Sequence, residues 1–318
     1  MKILKFTPIL KQTLWGGNKI KRLKNIDVQM DNIGESWELS GVANNETICT
    51  DGSRMSLNQL VALHKHRLVG RHVYDAYGDT FPLLVKFIDA QQNLSIQVHP
   101  DDETARRHGK KCGKTEMWYM MASDKDAFIY TGLNKQISPE QYKEMVNDDS
   151  ICQALCRYDA KEDDVFFLPA GRIHAIGSGC FLTEIQQTSD VTYRIYDYNR
   201  TDKDGNCRQL HTSEAADAID FHIIPDYRTP YRYHSDEAVP LVDCPYFTTS
   251  VYGISRPLTI DQSALDSFVI LIGQKGTGKV RTDNDCTTLR AGETLLIPAD
   301  NRQITLLGNV KFLEVHIS

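Results

Sequence analysis

Residues Leu83–Glu116 read LLVKFIDAQQNLSIQVHPDDETARRHGKKCGKTE, and within them Ser95, Gln97 and His99 alternate with Ile96 and Val98. Side chains of a β-strand point to opposite faces with a period of two. One face of this strand therefore carries a hydroxyl, an amide and an imidazole in a row, and the other is wholly apolar. A solvent face would carry charges and a core face would be apolar, so the row suits a polar pocket. Glu116 follows a Gly-Lys turn and opens another strand-like run, EMWYMMA. His99 and Glu116 thus become candidate metal ligands at the ends of neighbouring strands. A single His beside a Pro ordinarily just finds a hydrogen-bond partner, so the metal reading needs a third ligand.

Asp163–Gly177, DDVFFLPAGRIHAIG, supplies one. An apolar run meets a Pro-Ala-Gly-Arg turn and resumes as a strand bearing His174. The next strand, FLTEIQQTSD, places Glu184 and Gln186 on one face. Imidazole plus carboxylate suits a borderline ion such as zinc. Gln97, His99, Glu116 and His174 would form a site with room for water or substrate.

The chain has 318 residues, 25% of them charged and 41% hydrophobic, with a formal charge of −6. It reads as a soluble globular protein of one large or two modest domains. Its acidity argues against a general nucleic-acid binder, without forbidding a local basic pocket. No run of about 18 apolar residues suggests a membrane span, and the Lys- and Pro-interrupted start does not resemble a signal peptide. The eight cysteines are scattered without a Cys-x-x-Cys pair, which points to a reducing cytoplasm. Cys152 and Cys156 are expected on one helical face.

Most of the chain reads as short strands separated by Gly, Pro, Asn and Asp turns. Helices are expected at 56–68, at 138–157 with a Ser138/Gln141 capping box and Pro139 at its first position, and at 212–219. Residues 225–240 form the candidate linker, and 244–318 read as almost wholly β. GETLLIPADNRQITLLG, near the C-terminus, echoes the His174 segment, with Gln303 where the first unit has His174. Two related β units are therefore expected, only the first bearing metal. GQKGTGK at 273–279 looks like a phosphate loop but is followed by Val280 and by no helix, so a hairpin turn is expected. DKDGN at 202–206 lacks the terminal acid of a calcium loop and reads as a turn.

LSIQVHPDD, GKTEMWY, LPAGRIHAIG and TYRIYDYNR together resemble the type I mannose-6-phosphate isomerases, metalloenzymes of cupin fold; WGG at 15–17 and IGESWELS at 33–40 are also similar. The resemblance covers residues 1 to about 220, and the length is similar to that of the short bacterial members. It implies an all-β protein, a cupin jelly-roll sandwich with few helices in a catalytic domain of residues 1–238, followed by a smaller metal-free cupin-like β domain, 239–318. It implies aldose–ketose isomerisation of mannose 6-phosphate and fructose 6-phosphate through an enediol, with one zinc on Gln97, His99, Glu116 and His174. The family's active-site Arg falls on Arg194, with Asp190 four residues before it; Lys114, Lys86 and Ser95 match pocket positions. Ile176 replaces an aromatic residue of the fungal enzymes. Arg194 suits a developing oxyanion because it stays charged. Lys86, Lys114, Arg172 and Arg194 are candidates for the phosphate, and Arg106 and Arg107 read as a solvated helix face. The general base is open among His99, Glu184, Asp190 and Lys114. The expected partner is a small sugar phosphate, with no nucleic acid or membrane, and the chain is expected to be a monomer or homodimer. A metal-dependent oxygenase, a non-catalytic sugar-binding cupin, and an isomerase of an unphosphorylated sugar are the alternatives. The Gln and single Glu among the ligands lean away from an iron oxygenase.

Overall fold

Period-two alternation builds two facing sheets from the first part of the chain. The computed structural model describes residues 1–201 and 204–318. Its strands run, in chain order, β1 (Phe6–Thr7), β2 (Ile9–Gly17), β3 (Ile33–Ser40), β4 (Ile48–Cys49), β5 (Leu83–Asp89), β6 (Ile96–Val98), β7 (Glu116–Ser123), β8 (Phe128–Leu133), β9 (Leu155–Asp159), β10 (Val165–Leu168), β11 (His174–Ile176), β12 (Cys180–Gln187) and β13 (Tyr193–Tyr196). One sheet has the spatial order β10-β7-β12-β5-β3-β2 and the other β13-β6-β11-β8-β9, all pairs antiparallel.

Each strand divides its residues between two cores. Trp118, Met120 and Leu182 of the first sheet and Ile129 and Ile176 of the second fill the space between the sheets. On the outer face of the second sheet, Ile96, Val98, Tyr193 and Ile195 pack with Tyr142 and Ala215 of the helices Pro139–Asn147 and Thr212–Ala218. A one-residue slip of β6 would push Gln97 and His99 into that helical core and turn Ile96 and Val98 inward. Each apolar side chain displaced costs about 1.5–3 kcal/mol, so packing fixes which face is polar. Outside the first sheet, Val85, Phe87 and Met117 pack against Leu57, Leu60 and Val73.

The remaining strands are β14 (Val239–Cys244), β15 (Phe247–Ile254), β16 (Leu258–Asp261), β17 (Val269–Arg281), β18 (Cys286–Arg290), β19 (Thr294–Ile297) and β20 (Gln303–His316). They form one sheet, β14-β15-β20-β17-β18, with β16 on β20 and β19 on β17. One face packs on the first sheet through Phe247, Ile270 and Leu313; the other encloses Leu271, Leu289, Leu306 and Phe312. In both echoing segments the Pro turn joins strands that pair with other neighbours rather than with each other, β10 to β11 and β19 to β20. His174 is buried in the interior, whereas Gln303 is exposed beside Asp261.

Three local expectations need correction. The helix begun by Ser138 stops at Asn147, because Asp149 turns left-handed at φ 61°; a 3-10 turn (Ile151–Ala154) and β9 follow. Cys152 and Cys156 therefore lie on that turn and that strand, not on one helical face. The helix at 56–68 breaks at Lys65, φ 50°, into Leu57–His64 and His66–Val69. Residues 273–279 make no hairpin turn: they run through β17, with a register shift between Gly273 and Lys275. A Cβ on Gly276 would lie 2.3 Å from the Asn309 carbonyl oxygen, so β20 passes too close for any other residue. Of DKDGN, Asp202 and Lys203 lie outside the described residues, and Gly205 has the left-handed φ of a turn. Residues 225–238 carry neither helix nor strand, but Tyr227 is buried and its hydroxyl donates to the Leu133 carbonyl oxygen. No helix among the described residues is long and apolar enough to cross a membrane, and all eight cysteines are free.

Candidate metal centre and active site

His174 on β11 pairs with Gln97 on β6, and Gln97 pairs with Arg194 on β13. Residues opposite one another in adjacent strands share a face, so these three side chains point together into the sandwich. On the facing sheet Glu184 of β12 sits between Lys86 of β5 and Trp118 of β7. Glu116 opens β7 two residues before Trp118, on the same face. Gly171, at φ 87°, shapes the turn before His174 and donates its N–H to the His99 carbonyl oxygen at 2.8 Å. The two His segments are thereby tied together by backbone.

Glu116 Oε2 lies 3.5 Å from His99 Nε2, and its Oε1 lies 3.4 Å from His174 Nε2. One ligand atom from each of the three residues falls within 4.8 Å of the others. Gln97 Nε2 is 3.3 Å from His174 Nε2, which brings the fourth expected ligand to the group. His99 Nε2 and Glu116 Oε1 are buried without a hydrogen-bond partner. Buried polar atoms left in this way are costly unless something else satisfies them. Burial pushes His174 down to about 4 and takes His99 well below its ordinary value, assisted by the nearby Lys114. Both imidazoles are thus neutral, the form that binds metal. His174 Nδ1 lies 2.7 Å from the Arg172 carbonyl oxygen, which leaves Nε2 to face the carboxylate. Two neutral imidazoles, a carboxylate and an amide oxygen are a donor set that fits zinc.

A cavity beside this group is lined by Ser95, Gln97, Lys86, Lys114, Glu184 and Arg194. Lys86 Nζ donates to Glu184 Oε1 at 2.9 Å, and Trp118 Nε1 donates to Glu184 Oε2 at 2.8 Å. Lys114 Nζ lies 2.9 Å from Glu116 Oε2 and 4.0 Å from Glu184 Oε1. Burial alone would raise Glu184, but Lys86 and Lys114 outweigh it and hold the carboxyl below its ordinary range. Burial and the charge of Glu184 raise Glu116. A ligand set, an ionised carboxylate and several cations thus converge on one enclosed space.

Two candidate residues are not brought there. Asp190 is exposed. The Arg172 guanidinium stacks on Tyr227, 4.6 Å from the ring centroid, and only its carbonyl serves the centre. Four residues not singled out from the sequence line the cavity or brace it: Trp15, Glu35 and Arg208 in its wall, and Trp118 on Glu184. Trp118 was legible two residues after Glu116, on the same strand face. Trp15 and Glu35 sit in the similar segments WGG and IGESWELS. Arg208 lies in a loop without periodicity and gives no such signal.

A family model, phosphomannose isomerase type I, catalytic domain, matches residues 3–152, and a mannose-6-phosphate isomerase cupin-domain model matches 238–317. The chain is 31% identical over 317 residues to mannose-6-phosphate isomerase ManA of Bacillus subtilis, covering 98% of each chain. It is 31% identical over 311 residues to the mannose-6-phosphate isomerase of Streptococcus mutans, covering 96% of each. The crystal structure of mannose 6-phosphate isomerase from Bacillus subtilis superposes with a TM-score of 0.88 at 28% identity over 100% of both chains. A putative mannosephosphate isomerase from Archaeoglobus fulgidus shares the fold at a TM-score of 0.81 and 21% identity, covering 99% of this chain and 98% of that one. Identity along the whole length and a shared cupin architecture make this chain a member of the type I mannose-6-phosphate isomerase family.

Proposed function

We propose that the chain interconverts mannose 6-phosphate and fructose 6-phosphate through an enediol, with zinc held by Gln97, His99, Glu116 and His174. The observation that carries this reading is the convergence of the His99–Glu116–His174 group with Glu184, Lys114 and Arg194 around one cavity. Zinc bound there would supply Lewis acidity toward the sugar's carbonyl and hydroxyl oxygens. Moving a proton between adjacent carbons also needs a base in reach of the carbon. Glu184 suits that role: it is ionised, lines the cavity and is held by Lys86 and Trp118. His99 is committed to the metal and Asp190 is exposed. Lys114, between Glu116 and Glu184, is placed to hold or donate a proton at the substrate oxygens. Arg194 stabilises negative charge developing on oxygen, and Ser95 offers a hydroxyl to the sugar. In this reading residues 1–238 carry the chemistry, and 239–318 contribute packing and no metal. The chain works in the cytoplasm as a monomer or homodimer.

A coupled assay on mannose 6-phosphate, with and without chelator, tests the proposal. Turnover that is lost on chelation and restored by zinc supports it. Absence of turnover in zinc-loaded protein, or activity confined to unphosphorylated mannose, sinks it.

A further inference from the structure

Resting on that reading, we propose that Arg208 joins Arg194 to form the subsite for the substrate's phosphate, and that the buried carboxylate of Asp197 holds Arg208 in place. Charge balance locates the subsite. Lys86 is matched by Glu184 at 2.9 Å and Glu35 at 3.7 Å, and Lys114 by Glu116 at 2.9 Å. These cations are compensated within the protein. At the other end of the cavity Asp197 faces both Arg200 and Arg208, and Arg194 feels all three charges. Three guanidiniums against one carboxylate leave a surplus of about two positive charges, which matches a phosphate near neutral pH.

Geometry agrees with charge. Arg194 lies two strands from His174, along the row His174–Gln97–Arg194. At about 4.8 Å per strand that is roughly 10 Å between backbones, room for a hexose with its reacting carbons at the metal and its phosphate at the arginines. Arg208 is brought to this end by local pairing. Arg194 Nη1 donates to the Gln209 carbonyl oxygen at 3.0 Å, and the His211 N–H donates to the Arg194 carbonyl oxygen at 2.7 Å. Arg208 lines both the cavity and the outer hollow beside Gln12 and Asn32, so it stands at the mouth.

Its orientation is fixed before any ligand arrives. Nε and Nη2 donate to Asp197 Oδ2 and Oδ1 at 2.7 and 2.5 Å, a two-point grip that leaves Nη1 outside the pair. Asp197 is itself only 5% exposed and also accepts from Arg200 Nη2. A guanidinium gripped along one edge offers its remaining donors in a set direction, which suits a tetrahedral oxyanion. Arg194 Nε is buried with no partner, a second donor awaiting an acceptor.

The test uses zinc-loaded protein and mannitol 1-phosphate, the alcohol formed by reducing the aldehyde of mannose 6-phosphate. Calorimetric affinity is measured for wild type, Arg208→Gln, Arg208→Lys and the exposed-helix control Arg106→Gln. Arg208→Gln should weaken binding about ten- to hundredfold, the cost of a lost charge-assisted pair. It should raise KM for mannose 6-phosphate by a similar factor while kcat changes less than about threefold and zinc content holds. Arg208→Lys keeps a charge without the fork and should fall between, at about tenfold; it decides the matter if the Gln variant does not fold. Wild-type affinity in either folded variant, or a loss confined to kcat, overturns the subsite. A wild type that binds the phosphate through Arg208 yet isomerises no mannose 6-phosphate would instead overturn the functional reading alone.

Discussion

Glu116 Oε1 on one sheet lies 3.4 Å from His174 Nε2 on the facing sheet, so the candidate metal joins the two layers of the sandwich. An ion bound there acts as a cross-link between elements distant in sequence. Chelation should therefore lower the melting temperature as well as abolish turnover. Zinc at a hundred times its dissociation constant should stabilise the protein by about 2.7 kcal/mol. His174→Ala should retain no zinc after gel filtration; full occupancy by elemental analysis in that variant would rule out the ligand assignment.

Glu184 is held by Lys86 on one oxygen and Trp118 on the other. Glu184→Gln keeps the volume and removes the base. Its kcat should fall about 10²–10⁴-fold with zinc content unchanged. Trp118→Phe should fall less, because Lys86 still holds the carboxylate. Near-wild-type turnover of Glu184→Gln would move the proton transfer to another group.

Asp197 gives a pH-dependent contribution to stability. Burial raises its carboxyl, but the hydrogen bonds from Arg208 and Arg200 prevail and leave it below its ordinary value. A carboxyl depressed in the folded state stabilises above the unfolded pKa and loses that contribution as pH falls through the folded one. Asp197→Asn should thus cost about 1–3 kcal/mol at pH 7, a gap that shrinks as pH falls below the ordinary carboxylate range. Urea titrations of both proteins at several pH values measure the difference; a gap that does not narrow in acid would contradict the ion-pair origin.

The site was legible where a strand's period of two governs it. Ser95, Gln97 and His99 point inward because Ile96 and Val98 are taken by the helical layer, and the same alternation sets His174, Arg194 and Glu184. Asp190 and Arg172 are misplaced because each lies in irregular chain between two strands, where side-chain direction depends on local backbone that no periodicity records. Arg172 is drawn to the face of Tyr227, a residue from the irregular segment 225–238. Arg208 was invisible for the same reason: its position follows from Asp197 and from pairing of Gln209 and His211 with Arg194, contacts made only after the sandwich has formed. The helix at 138–157 was overextended because Cys152 and Cys156 keep helical spacing, while Asp149 sets the left-handed turn that ends it.

The last sheet should be silent in the chemistry. Its single imidazole, His316 near the end of β20, lies with Nδ1 2.9 Å from Glu314 Oε1. Glu314 is buried, so a partner there relieves the cost of burying a carboxylate. Among the described residues, the group of three that could hold a metal is His99, Glu116 and His174, and the Pro-turn unit of this sheet presents the exposed Gln303 instead of an inward His. His316→Gln preserves a hydrogen-bond donor toward Glu314 and removes the ligand nitrogen. Zinc content should stay at one per chain and kcat/KM should stay within about twofold. The melting temperature should fall, because the amide keeps a donor but not the geometry of the imidazole contact to a buried carboxylate, a cost of about 1 kcal/mol. Zinc lost from this variant, measured by elemental analysis on folded protein, would show that the C-terminal sheet takes part in the metal site.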